Sequence, residues 1–302
     1  MMSPAYVLAW PFVETMSLLS RLKARLVNWL TTDGPPRPFP LVDFERIRYE
    51  LRPGDVVLVE GRTRVADVIK MITQSPWSHA MLYIGRVHDI EDAELRARLR
   101  QYWTGPDDEQ LVIEGILGKG TIVTRLHDYR LDHLRICRPA GISRHDAQQV
   151  TNYALRHLGD DYNVRQLLDL MRFLMPWGVL PRRWRSSLFV HNAGDNTRTV
   201  CSTMLAEAFN AVNYPILPII KAHGDNGIKL IKRNPRLYTP RDFDYSPYFD
   251  VLKFPFVGDM SRERYRNLPW SEENELGNDE HDIMEMPPPP LELPKAGDIR
   301  PA

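Results

Sequence analysis

Apolar and polar positions follow recognisable periods along this chain, and the period changes at a few sharp points. After the turn Arg52-Pro53-Gly54-Asp55, the β-branched run Val56-Val57-Leu58-Val59-Glu60 reads as a strand. Val65, Val68, Ile69 and Ile72 then recur at helical spacing, and Pro76 closes that segment. Ser78-His79-Ala80-Met81-Leu82-Tyr83-Ile84-Gly85 is apolar on both alternating sets, which predicts a central strand with both faces covered. Leu111 to Leu117 is another apolar strand with one carboxylate, Glu114, inside it, and His133 to Arg138 is a further strand closed by Pro139. Between these, His88 to Gln110 reads as an exposed helix and loop. There Asp92 with Arg96, and Glu94 with Arg98, stand at the i,i+4 spacing of solvated ion pairs.

The second half is more helical. Ser143 with Asp146 forms a capping-box pattern, Ala147, Val150, Ala154 and Leu158 make a stripe, and Gly159 ends it. Val164, Leu167, Leu168, Met171, Leu174 and Met175, with Leu170 and Phe173 beside them, predict a helix apolar nearly all round, either deeply buried or facing lipid. Thr199 is placed to cap a further helix on which Val200, Met204, Leu205, Ala208 and Phe209 share a face. Tyr214 to Ile220 reads as a proline-broken connection, and 238–254 as a short helical turn with a closing segment.

The ends divide the chain into three parts. Residues 1–40 hold an amphipathic segment and the proline-rich linker Gly34 to Pro40, residues 41–258 the folded domain, and residues 259–302 an acidic, proline-rich tail read as disordered. At the N-terminus the apolar run precedes the basic residues and no small-residue cleavage site follows, so it does not read as a cleavable signal peptide. Residues 1–33 are equally consistent with a helix packed on the domain and with one lying in a membrane interface. Residues 176–198 mix Trp177, Trp184 and Phe189 with Arg182, Arg183, Arg185 and Arg198, as in a membrane-facing or anion-binding loop, or an ordinary solvated surface loop.

With 43% hydrophobic and 26% charged residues, the chain has an ordinary globular composition. Formal net charge is zero, which argues against a nucleic-acid partner. That zero hides an asymmetry: from Ser271 onward nine acidic residues face two basic ones, so the rest of the chain carries +7. Two cysteines, Cys137 and Cys201, make no disulfide framework, and no spacing suggests a metal or cofactor. Low cysteine use fits a reducing, cytoplasmic setting, with a peripheral membrane location as the variant.

Three residues stand where chemistry is served by their positions. Cys201 lies in the first helical turn, where free amides and the helix dipole favour a thiolate; a small buried core cysteine is the plain alternative. His79 begins a strand, where it is rigid yet able to border a cleft, or is simply structural. Glu114 inside an apolar strand needs a donor, such as an imidazole on the neighbouring strand, unless it lies on an edge and faces water. Cys137 reads as packed core.

Taken together, Ser78 to Gly85, Val112-Ile113-Glu114-Gly115 and Val200-Cys201-Ser202-Thr203-Met204, in this order, resemble the circularly permuted branch of the NlpC/P60 papain-like superfamily, close to YiiX/YebB-like hydrolases. Pro53 to Val57, Gly159 to Asn163 and Thr239 to Asp242 also resemble that group, and the likeness spans roughly 48–255. The resemblance implies an α+β, circularly permuted papain-like fold with the cysteine helix packed on a small antiparallel sheet or barrel. It implies Cys201 as nucleophile, His79 as general base and acid, and Glu114 as the residue orienting the imidazole. Where relatives show Tyr-Asp this chain has Tyr162-Asn163, which leaves that carboxylate's role without a carrier. The expected function is a cysteine hydrolase cleaving an amide or ester bond of a peptide or lipid acyl substrate. A lipid-directed acyltransferase or deacylase at a membrane surface, and a catalytically silent membrane-associated scaffold, are the alternatives.

Overall fold

The structure, a computed structural model, describes residues 40–116, 119–160, 201–223 and 227–257, with Trp29, Thr32, Gly34 and Leu268 as isolated positions. The side chains of Ile72, Cys201 and His223 fall outside this description. So do Thr199, the apolar stretch 164–175, the Trp/Arg stretch 176–198, nearly all of 1–33 and the acidic tail.

The fold is α+β. Its centre is a six-stranded antiparallel sheet, formed by β1 (Val56–Glu60), β2 (His79–Gly85), β3 (Leu111–Ile116), β4 (Gly120–Arg125), β5 (His133–Pro139) and β8 (Phe249–Leu252). Their order is β4-β3-β2-β1-β5-β8. The strand predicted to be central is internal: β2 lies between β1 and β3, and Ala80 to Gly85 are buried on both faces. Burial on both faces is what a continuous apolar run encodes, whereas strict alternation would have left one face in water.

One face carries α3 (Ala93–Tyr102), α4 (Arg144–Arg156) and α5 (Cys201–Ala211) over Val56, Leu58, Ala80, Leu82, Ile84, Leu111, Ile113 and Cys137. The other face carries α1 (Phe44–Glu50), whose Ile47 packs with Val57, Val59, Met81, Tyr83, Val112, Leu134 and Ile136. The helix α2 (Arg64–Thr73) links β1 to β2, capped by Thr63 on the amide of Ala66. A short α6 (Pro240–Tyr245) precedes β8.

Ser143 caps α4 as expected, accepting from Asp146 N, and Gly159 follows its end at φ +87, a conformation cheap only for glycine. The ion pairs expected on α3 do not form. Asp92 instead caps the helix, accepting from the amides of Glu94 and Leu95. Arg96 donates to the carbonyl of Ile90, and Arg98 donates to those of Leu155 in the last turn of α4 and Leu158 just beyond it. Orphan amides and carbonyls at helix ends are stronger calls on these groups than a solvated i,i+4 partner. Leu95 and Leu99 bury the inner side of α3, so this helix is only half exposed.

The connection after α5 also differs from expectation. From Ile219 it becomes a two-stranded hairpin, β6 (Ile219–His223) and β7 (Gly227–Ile231), outside the main sheet. Among the described residues no helix is long and apolar enough to cross a membrane.

Candidate active site

Glu114 is fully buried in β3, so it is not the water-facing edge carboxylate that its strand context also allowed. Register explains its company. Leu82 pairs with Ile113 and Val57 with Met81, so His79 and Glu114 fall on one face of adjacent strands, diagonally placed. The Nε2 atom of His79 lies 2.6 Å from Glu114 Oε2. On the far side of β3, β4 brings Thr124 to the same face, and the turn at Leu126–Tyr129 returns Tyr129 over it. Tyr129 OH donates to the Glu114 carboxylate at 2.6 Å, and the Thr124 hydroxyl donates to Oε1.

This carboxylate therefore has a donor set rather than a single partner. Burial acts to raise its pKa, but the His79 bond and charge, with Thr124 and Tyr129, outweigh burial and hold it below the usual carboxylate range. Burial and the neighbouring charge of Glu114 push the Tyr129 phenol up, so it stays a donor at any working pH. Neither Thr124 nor Tyr129 was singled out from sequence. The signal was the β-branched run Thr121-Ile122-Val123-Thr124, but placing Thr124 beside Glu114 needs the β3–β4 register.

The first turn of α5 and the start of β2 share a neighbour. Ser202, buried, donates its hydroxyl to the carbonyl of Tyr238 at 2.8 Å, which fixes the beginning of the cysteine helix. Tyr238 leads directly into α6. From α6, Asp244 accepts from the indole of Trp77 at 3.2 Å and from Arg135 at 2.6 Å, and Arg241 donates to the carbonyl of Thr73 at 2.8 Å. Trp77 stands two residues before His79. Both ends of the proposed chemistry are thus tied to one short helix. By alternation His79 sits on the face of Met81 and Tyr83, whereas α5 packs on the other face. His79 is the first residue of β2, one position short of the Glu60–His133 pair at which β1 and β5 meet their ends. The side chain of Cys201 itself lies outside the described residues, and the described part of its helix is Cys201–Ala211.

A second histidine–carboxylate pair sits at the same end of the sheet. His133 Nδ1 is 2.9 Å from Glu60 Oε2, and the ring lies 5.1 Å from that of Trp77. This pair is on the face that carries α5 and was not recognised from sequence. Cys137 is packed core, as expected, and burial pushes its thiol well up, which suppresses the thiolate. Among the described residues no group of three or more His, Cys, Asp or Glu side chains is arranged to hold a metal.

Residues 50–170 match a family described as permuted papain-like amidases, YaeF/YiiX, C92 family. That stretch contains His79 and Glu114 and stops short of Cys201. The family supports a hydrolase of the cysteine type and the permuted papain-like fold. A solved structure described as the metalloprotein yiiX from Escherichia coli O157:H7 is similar at 13% identity and a TM-score of 0.41, covering 67% of this chain and 97% of that one. No curated protein matches.

Proposed function

We propose that this chain is a thiol hydrolase that cleaves an amide or ester acyl bond, with Cys201 as nucleophile, His79 as general base and acid, and Glu114 as the group orienting the imidazole. The observation that carries this reading is the 2.6 Å contact between His79 Nε2 and a fully buried Glu114 that two further hydroxyls hold in place. An ionised carboxylate is costly inside a core, and a neutral apolar residue would pack there without such cost. A carboxylate inside a strand, beside an imidazole and clamped from three sides, fits a role in holding that ring and stabilising its protonated form.

With Nε2 committed to Glu114, Nδ1 is the ring nitrogen that takes the proton from the Cys201 sulfur. The thiolate attacks the acyl carbon, and the amides opening α5 stabilise the oxyanion. Collapse of the tetrahedral species breaks the bond to the leaving amine or alcohol, which receives the proton from Nδ1. Water then gives its proton to Nδ1 and its oxygen to the thioester carbon, and the thiol leaves with that proton. The substrate is an acyl compound of peptide or lipid type. Kinship with the wider NlpC/P60 superfamily belongs to the same proposal.

Chromogenic acyl esters and aminoacyl amides, short and long in the acyl chain, test it with native protein, Cys201→Ala and Cys137→Ala. Turnover is expected in native protein and Cys137→Ala, together with an acyl adduct on Cys201 by mass spectrometry. Undiminished turnover by Cys201→Ala, or a thiol-reactive probe that labels Cys137 alone, would sink the assignment and leave the scaffold reading.

A further inference from the structure

We propose that the β6–β7 hairpin is a docking surface for an anionic lipid bilayer, placed so that it holds the start of the cysteine helix near the membrane. Register sets the chemistry of its two faces. Ile220 pairs with Leu230 and Ala222 with Ile228, so one face is wholly apolar. On the other face Lys221 pairs with Lys229, between the pairs Ile219–Ile231 and His223–Gly227. Ile228 is 73% exposed, Ile220 63% and Leu230 49%, and among the described residues this face joins neither hydrophobic cluster. A lone two-stranded hairpin is marginal in water, and it needs a partner for its hydrophobic face to become a rigid element.

The opposite face says which partner. Like charges directly across a strand pair destabilise it, yet Lys221 and Lys229 face each other, and neither has an acidic partner among the described residues. From Ile216 to Asn234 the sequence holds four basic residues and a single acidic one, Asp225. A hairpin with its side chains is about 10 Å thick, and an interfacial element sinks about 5–10 Å below the headgroup level. With the isoleucines in the acyl boundary, the two ammonium groups on the upper face therefore stand at the phosphate layer. A second copy stacked on the apolar face would leave the two lysine pairs facing water with no counter-charge, whereas an anionic bilayer supplies one.

The hairpin is tied to the site. Lys232 donates to the carbonyl of Asn210 on α5 at 2.7 Å. Tyr238, whose hydroxyl donates to Leu217 just before β6, also accepts from Ser202 in the first turn of α5. Bilayer contact at the hairpin thus reaches α5 twice, at Asn210 near its C-terminal end and, through Tyr238, at Ser202. Docking is independent of the thiol chemistry: Cys201→Ala is expected to bind as the native chain does, whether or not the hydrolase reading holds.

Full-length protein is sedimented with vesicles of phosphatidylcholine alone and with 30% phosphatidylserine. Binding is expected to the anionic vesicles and to weaken as salt is raised. The triple variant Ile220→Thr, Ile228→Thr, Leu230→Thr places strand-compatible β-branched side chains at all three positions and removes the apolar face; it should bind at least roughly tenfold more weakly. Lys221→Gln with Lys229→Gln should lose about fivefold for each charge. Tyr49→Ser, at a distant exposed aromatic, should bind as native, and circular dichroism checks that each variant is folded. The proposal is overturned if native protein stays in the supernatant, or if the triple variant pellets equally. It also fails if binding appears only once residues 271–302 are removed, which would make the acidic tail the occupant. A native dimer by light scattering that the triple variant dissociates would make a second copy the occupant, and would equally end it.

Discussion

Replacing Glu114 by Gln keeps the side chain's shape and removes its charge. In the native protein three donors converge on this carboxylate, from His79, Thr124 and Tyr129. An amide offers one oxygen and one NH2 group. If the oxygen serves the hydroxyls, the NH2 faces His79 Nε2, and the ring must then carry its proton on Nδ1. That is the nitrogen needed as acceptor. Two quantities change. A hydrogen bond to a charged group contributes about 1.5–3 kcal/mol, and relief from burying the charge offsets part of it, so the variant loses about 1–2 kcal/mol at neutral pH. The larger change is in the thiol. An unassisted cysteine is about 0.3% ionised at pH 6, while one paired with an imidazolium is almost fully ionised, a difference of roughly 300-fold. A thiol more acidic by about three pH units is also a weaker nucleophile by roughly 20-fold, which leaves a net effect of about 15-fold. Iodoacetamide at pH 6 should therefore label the Cys201 peptide about 15-fold more slowly in Glu114→Gln, read by mass spectrometry with buried Cys137 as the unlabelled internal reference. Turnover should fall further, on the order of 10³- to 10⁴-fold, as it does when a triad histidine is held in the wrong tautomer. Equal labelling at pH 6 in a folded variant refutes the coupling of Glu114 to the sulfur.

Other outcomes follow from the same contacts. His79→Gln should suppress Cys201 labelling while His133→Gln leaves it near native; the reverse result would move the imidazole role to the Glu60–His133 pair. Tyr129→Phe deletes the hydroxyl shared by both Glu114 oxygens and should cost about 1–2 kcal/mol in urea denaturation. Because the folded Glu114 carboxyl titrates below its unfolded value, its stabilisation is complete above the unfolded pKa and is lost as pH falls through the folded one. The Tm gap between native protein and Glu114→Gln should accordingly shrink from pH 7 to pH 3, and a constant gap contradicts this. Arg138 donates to the buried Asp55 and to the carbonyl of Glu50, so Arg138→Met strands a carboxylate and should cost about 3 kcal/mol or more by denaturant titration.

Local sequence carried the elements whose signal is continuous. β1 and β2 are nearly continuous apolar runs, β3 is one interrupted by Glu114, β5 is a mixed segment closed by a proline, and α4 has its cap, stripe and terminal glycine in order; each is set by residues within one segment. β4 went unread because its β-branched run is short and follows a glycine turn. The β6–β7 hairpin went unread because prolines precede it and lysines interrupt its isoleucines. The expected Asp92–Arg96 pairing failed since spacing states what is near along a helix and is silent about which helix end lies across from it.

The sequence by itself determined that a histidine opens a strand and that a carboxylate sits in an apolar run and needs a donor, and it predicted a helix carrying Cys201. Spacing along the chain has no information about which strands are neighbours. Only the β2–β3–β4 register decided that His79, Thr124 and Tyr129 supply the Glu114 donors, and only packing through α6 tied the start of β2 to the start of α5. The reason is that side-chain direction alternates locally, while the partner across a sheet depends on pairing between segments far apart in the chain.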